Sequence, residues 1–228
     1  QACLKLADCG AIYTSGANKK YGHYASRVSG NLISDVPGDL GGALSKAALT
    51  AGIYLDDESR GIEVIGNFVE KAQRGIFSKA ATSVIARNTL FDNQYGVRLG
   101  HTGAYGEGVQ ATQIEDNFIM SRPGQMPFLV SAVADGKSVS LLRNRVLGMP
   151  GALPSQVWHG AARQANSSVS DSGTVGRAIS LMNATEARRS YSCPLPQSEC
   201  SDLWLPDGTF VHWPVDLMPG KAVVISGP

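Results

Sequence analysis

The chain has 228 residues, with 20 Lys and Arg against 19 Asp and Glu, a net charge of +1 and only 17% charged residues. That balance offers no basic stripe to hold nucleic acid, and no apolar run approaches the ~18 residues of a membrane-spanning helix. The 26 glycines suit a turn-dense β protein better than a helical one.

The opening QACLKLADCG lacks the basic and long apolar segments of a signal peptide. Its cysteines, Cys3 and Cys9, form one close pair, and Cys193 and Cys200 form another. The four histidines are scattered, so two local disulfides in an oxidising compartment fit better than a zinc site, which places the protein outside the cell or in the periplasm.

Along the chain, glycine-led strands recur as GAIYT (10–14), GIYLD (52–56), GIFSK (75–79) and GVRLG (96–100). Between them runs a second motif: RVSGNLI (27–33), EVIGNFV (63–69), VIARNTL (84–90), QIEDNFI (113–119) and LLRNRVL (141–147). Each holds one asparagine, Asn31, Asn67, Asn88, Asn117 and Asn144, at intervals of 36, 21, 29 and 27. An apolar residue always stands three before it and another two after it. A period of about twenty residues with variable insertions, two short strands per round and a stacked Asn predicts a solenoid of parallel strands. Ile12, Ile53, Ile76 and Val97 form its inner column. The asparagine is expected at the turn, where it tolerates a left-handed backbone, as a structural ladder and not as a site.

From 149 to 192 the chain is rich in Gly, Ser, Ala and Pro, with a weak pattern at RAISLMN (177–183). The Cys193–Cys200 loop and the apolar AVVIS (222–226) read as irregular last rounds and a cap. One domain over 1–228 is expected, with regular rounds at 8–147 and irregular ones at 148–228. No cap precedes Asp8, so the chain reads as the C-terminal part of a longer solenoid, whose N-terminal part would be a partner.

These motifs resemble the pectate-lyase-like right-handed parallel β-helix superfamily, in the subgroup whose coils read GIYLDD…GN.V…GIF…N.L. The resemblance covers residues 8–147 and implies an all-β, right-handed parallel β-helix. The fold hosts glycoside hydrolases, lyases, epimerases and tailspikes, so reaction is a separate question.

Strand alternation turns Ile53 and Leu55 inward and Tyr54 and Asp56 to solvent. Tyr13, Phe77 and Arg98 fall beside Tyr54, and Ser15 and Lys79 beside Asp56, with Asp57, Glu58 and Arg60 at the turn. Aromatics, carboxylates and cations on one face suit a polysaccharide groove. A glycosidase needs two carboxyls about 5–5.5 or 6.5–9.5 Å apart. LADCGAIYT…GIYLDD looks like the segment carrying paired acids in some β-helix fucosidase- or xylanase-type hydrolases, which implies Asp8 with Asp56 or Asp57 as acid and base, and no required cofactor. A lyase or C5-epimerase on a uronate glycan would instead use Lys79, Arg98, Tyr54 or His101, with Asp56, Asp57 and Glu58 as Ca²⁺ ligands. A non-catalytic adhesin or tailspike-like shaft would bind glycan on the same groove. Insertions at 34–50 and 100–112 add Asp39, Lys46, His101 and Tyr105 as specificity candidates.

Overall fold

The computed structural model describes residues 2–3, 6, 8–16, 26–38, 49–57, 59–100, 109, 111–130, 139–152, 156–157, 170–174, 177–207 and 209–227. In chain order, β1 (Gly10–Thr14), β2 (Ser26–Ser29) and β3 (Leu32–Val36) make a first round of short strands. A second round holds β4 (Ala51–Leu55), β5 (Ile62–Ile65) and β6 (Phe68–Ala72), and a third β7 (Arg74–Ser78), β8 (Val84–Ala86) and β9 (Thr89–Phe91). The fourth is β10 (Tyr95–Leu99), β11 (Thr112–Glu115) and β12 (Phe118–Ser121), and the fifth β13 (Met126–Val130), β14 (Val139–Leu142) and β15 (Arg145–Gly148). β16 (Gln156–Val157) and β17 (Ser170–Thr174) follow, then β18 (Arg177–Asn183), β19 (Arg189–Tyr191), β20 (Val215–Leu217) and β21 (Lys221–Gly227).

Equivalent strands of successive rounds pair in parallel. The first sheet runs β1-β4-β7-β10-β13-β16, the second β2-β5-β8-β11-β14 and the third β3-β6-β9-β12-β15-β17. The fold is therefore all-β with stacked parallel sheets, an arrangement compatible with a parallel β-helix. Each round carries three strands where the sequence suggested two. The reason lies inside the asparagine motif, which a left-handed residue breaks into two strands. That residue is Gly30, Gly66, Arg87, Asp116 or Arg143, with φ of 69°, 64°, 54°, 53° and 49°. The left-handed position is thus the one before the asparagine, which corrects the expectation that the asparagine itself occupies it. In the third round Thr82, Arg87 and Asp92, with φ of 55°, 54° and 55°, form three such corners.

The asparagines form the expected ladder. Nδ2 of Asn31, Asn67, Asn88 and Asn117 each donates to Oδ1 of the next at 2.9 Å. The backbone N–H of the same residues reaches the same oxygens at 2.9–3.1 Å. In this way each corner's polar groups are satisfied without water in a buried position.

Three aliphatic columns fill the interior. Ile12, Ile53, Ile76, Val97 and Phe128 are in register in the first sheet. Val64, Ile85, Ile114 and Leu141 line the second sheet, and Ile33, Val69, Leu90, Ile119 and Val146 the third. All but Ile12, at the first round, are buried in one cluster. Gly52 of β4 and Gly96 of β10 belong to this interior. A Cβ on Gly52 would meet Val69 Cγ1 at 2.3 Å, and one on Gly96 would meet Ile119 Cγ2 at 2.7 Å.

The C-terminal residues lie along the side of the stack, where a cap over its end was expected. β18 and β21 form an antiparallel hairpin. Val224, with Ala178, Met182 and Ala222, packs on Phe68, Phe91, Phe118, Met120 and Leu147, the outward residues of the third sheet. Ser180 Oγ, on the hairpin, donates to buried Glu70 Oε2 at 2.5 Å, and Ser34 Oγ donates to Oε1 at 3.0 Å. Burial of five large side chains on an outer sheet face explains the position. Cys3–Cys9 and Cys193–Cys200 sit at disulfide distance, each pair with Cα atoms 6.1 Å apart. Among the described residues no helix is long and apolar enough to cross a membrane. Both features are compatible with an extracellular or periplasmic protein.

Candidate functional site

The register of the first sheet sets Tyr13, Tyr54, Phe77 and Arg98 side by side on its outer face. Just beyond the strands, Asp56 N–H bonds Thr14 O at 2.8 Å and Lys79 N–H bonds Leu55 O at 2.8 Å, so these two side chains also become neighbours. The sequence placed this face in solvent. Instead Tyr54 and Phe77 are fully buried, Asp56 is 9% exposed and Lys79 6%. Tyr54 stacks on Phe77 with centroids 4.7 Å apart and meets Tyr13 in a T-shaped pair at 5.2 Å. Being fully buried, Tyr54 cannot stack on a sugar. Tyr13, half-exposed at 49%, is the aromatic that can.

The polar centre is a chain across three strands. Tyr13 Oη donates to Asp56 Oδ2. Lys79 Nζ donates to Asp56 Oδ1 at 2.6 Å, lies 3.7 Å from Asp57 Oδ2 and stands 5.2 Å from the Tyr54 ring centroid. Burial pushes the Asp56 carboxyl up, but the bonds from Lys79, Tyr13 and the Asp57 backbone outweigh it and hold Asp56 below the usual carboxylate range. Asp56 is therefore an ionised group with both oxygens engaged, and a poor proton donor.

Asp57 lies in the turn after β4, partly exposed, with its backbone oxygen accepting from Ser15 Oγ at 3.2 Å and Gly16 N–H at 3.2 Å. Its Oδ1 is buried with no hydrogen-bond partner among the described residues. Asp8 is exposed just ahead of β1. Burial, the bond to Asp56, and then the charges of Asp56, Asp8 and Asp57 all raise the Tyr13 pKa, so the hydroxyl keeps its proton. Tyr54 is raised by burial and by Asp56 and Asp8 in the same way.

Arg98, partly exposed, sets its Cζ 5.2 Å from the Phe77 centroid and 5.8 Å from that of Tyr95, and its Nε is buried with no partner among the described residues. Arg74 joins it and was not foreseen. It is 3% exposed, and its Cζ lies 4.9 Å from the same Phe77 ring. Burial and then the Arg98 charge pull Arg74 down to about 10. Simple alternation from Ile76 points residue 74 inward. The glycine at 75 breaks that alternation, since the Cβ directions of this glycine column face the interior alongside the isoleucines. The conserved phase of the glycine column, visible as GI-F or GI-Y, was the signal that could have found it.

His101 and Glu58, with Asp39, Lys46 and Tyr105, lie outside the described residues. Among the described residues no group of three His, Cys, Asp or Glu is placed to hold a metal ion, and the expected Ca²⁺ ligand Asp56 has its oxygens taken by Tyr13 and Lys79. Comparison of the chain with protein-family models, curated proteins and solved structures finds no match.

Proposed function

We propose that the chain is a right-handed parallel β-helix of the pectate-lyase-like kind and an exported enzyme that hydrolyses a polysaccharide. The observation that supports this reading most is the hydrogen bond from the Tyr13 hydroxyl to Asp56, at the exposed end of an otherwise buried aromatic row, with Asp57 in the turn beside it and Asp8 exposed just ahead of β1. In this reading Tyr13 stacks against a sugar ring. Asp8 and Asp57 form the acid–base pair: Asp8 is exposed, and Asp57 lies 3.7 Å from Lys79 where Asp56 is bonded at 2.6 Å. Asp56 is a positioning residue: it fixes the Tyr13 hydroxyl and the Lys79 ammonium. The test is incubation of the chain with a panel of neutral, deoxy-sugar and uronate polysaccharides. Release of reducing ends, lost by at least ~100-fold in Asp8→Asn and in Asp57→Asn, is the expected result. Full activity in both variants would overturn the acid–base pair.

One observation favours a second reading, elimination on a uronate glycan. Arg74, Lys79 and Arg98 bring three cations to the same face, Arg98 with an Nε unpartnered among the described residues, and Tyr13 holds a proton that a leaving oxygen could take. In that case the product absorbs in the ultraviolet through its new double bond, whereas hydrolysis products do not. Glycan retention without cleavage would identify a binding shaft.

A further inference from the structure

We propose that Trp204 and Phe210, in the C-terminal residues packed along the stack, form a second saccharide site, which retains the polysaccharide without cleaving it. The local sequence builds this site. In LWLPDGTFV (203–211) apolar residues stand on either side of Pro-Asp-Gly. Leu205 N–H bonds Thr209 O and Val211 N–H bonds Leu203 O, both at 2.8 Å, so the two arms run antiparallel. Leu203 and Val211 are buried on one side, with Leu181, Leu217 and Ile225. Alternation therefore turns Trp204 and Phe210, which pair across the arms, to the opposite side.

The pair continues a row that starts on the stack. Ala178 packs with the outward side chains of the third sheet and pairs with Ser226. Ser226 and Trp204 exchange backbone bonds of 2.7 and 3.0 Å, and Trp204 pairs with Phe210. Phe210, 57% exposed, is the solvent end of that row. Neither ring joins the apolar clusters of this region, so packing does not account for them. Trp204, partly buried, backs Phe210 with centroids 5.8 Å apart and planes tilted by 53°. Asp207, between the arms, is exposed. Its Oδ1 accepts Thr209 N–H at 2.9 Å, a bond that holds the carboxyl below the usual carboxylate range.

The same three parts occur at Tyr13: an exposed ring, a more buried aromatic 5.2 Å behind it and a carboxylate in a neighbouring turn. Among the described residues Tyr13 and Phe210 are the two exposed large aromatics. An aromatic face offers apolar contact to the C–H side of a sugar ring, and an ionised carboxylate accepts from its hydroxyls. Two rings make a contact of that size, far below the ~800 Å² that a protein partner covers on each side. Phe210 belongs to the residues packed along the third sheet and Tyr13 to the outer face of the first, so retention and turnover are separable. The choice of a saccharide rests on the polysaccharide reading proposed above.

The experiment runs the full chain in native gels containing each polysaccharide of the panel, and measures turnover of a short oligosaccharide in parallel. Phe210→Ala should weaken retention at least ~5-fold and leave oligosaccharide turnover unchanged. Phe210→Tyr should be retained like the native chain, whereas Phe210→Leu, apolar but without a ring, should not. Those two variants keep the comparison if the smaller alanine loosens the hairpin. Tyr13→Ala should lose turnover and still be retained. Native-like retention of Phe210→Ala or Phe210→Leu would overturn this inference and leave the Tyr13 site standing. Retention that depends on Phe210 in a chain that cleaves nothing would uphold it and remove the hydrolase reading. A native chain that cleaves but is not retained overturns the inference alone, and one that does neither overturns both.

Discussion

Asp56 shows how a residue chosen for chemistry can turn out to hold the site together. The sequence offered it as an outward carboxylate. In the structure it is buried beneath Tyr13 with Lys79 at 2.6 Å, and removing one member of a buried pair strands the other. Asp56→Asn is accordingly expected to destabilise by about 3 kcal/mol, the lower end for buried pairs because Asp57 stands 3.7 Å from the same ammonium. Asp56→Asn with Lys79→Met should recover most of that loss, as chemical denaturation would show. Stability should also change with acid. The folded Asp56 pKa lies below its unfolded value, so its contribution is complete above about pH 4 and is lost as pH falls through the folded value. A denaturation series at pH 2–5 should therefore fall more steeply for the native chain than for Asp56→Asn, and parallel curves would contradict the assignment. Asp57 keeps only the longer 3.7 Å contact to Lys79 and Asp8 is exposed, so their variants should lose far less stability than Asp56→Asn while losing turnover.

At the scale of the strand and its corner, the asparagine ladder is the element whose energetics can be read most directly. Asn88 is 1% exposed. Its side chain accepts from Asn67 N–H and Nδ2 and donates to Val64 O and Asn117 Oδ1. Asn88→Ala leaves several buried groups unpaired at once, at about 1–3 kcal/mol for each group that stays unsatisfied, and a total loss near 3 kcal/mol is expected. Asn31→Ala, in the first round, should cost about 1 kcal/mol. Denaturant midpoints for the pair decide this, and equal losses would contradict the directional ladder. Much of this element was legible in the sequence. The spacing of Val64, Asn67 and Val69 recurs because the two apolar residues feed two inner columns on either side of a corner. What could not be read was the corner itself. Gly30 and Gly66 announce a left-handed residue, but Arg87, Asp116 and Arg143 occupy the same conformation with side chains that carry no such signal. Counting one strand where two lie across the corner followed from that.

For the whole molecule, the repeat was visible because every round answers to the same neighbours, so its residues are chosen over and over by the same contacts. The burial of the outer faces was not, because it depends on elements distant in sequence. Nothing near Phe68, Phe91 or Phe118 foretells that Val224 and Met182 cover them more than sixty residues later. The same holds for the candidate site, where alternation set the right residues side by side but left their exposure open. Tyr54 and Phe77 proved to be a buried support, and Tyr13, on the first round, the surface that meets solvent. The central claim is that a glycan sits on Tyr13 with its scissile bond between Asp8 and Asp57. A crystal structure of Asp57→Asn with an uncleaved oligosaccharide from the responsive polysaccharide tests this most directly. The account expects a sugar ring against Tyr13 and the glycosidic oxygen within hydrogen-bond reach of Asp8 or residue 57. An oligosaccharide bound productively on another face, with Tyr13 and Asp8 bare, would contradict it.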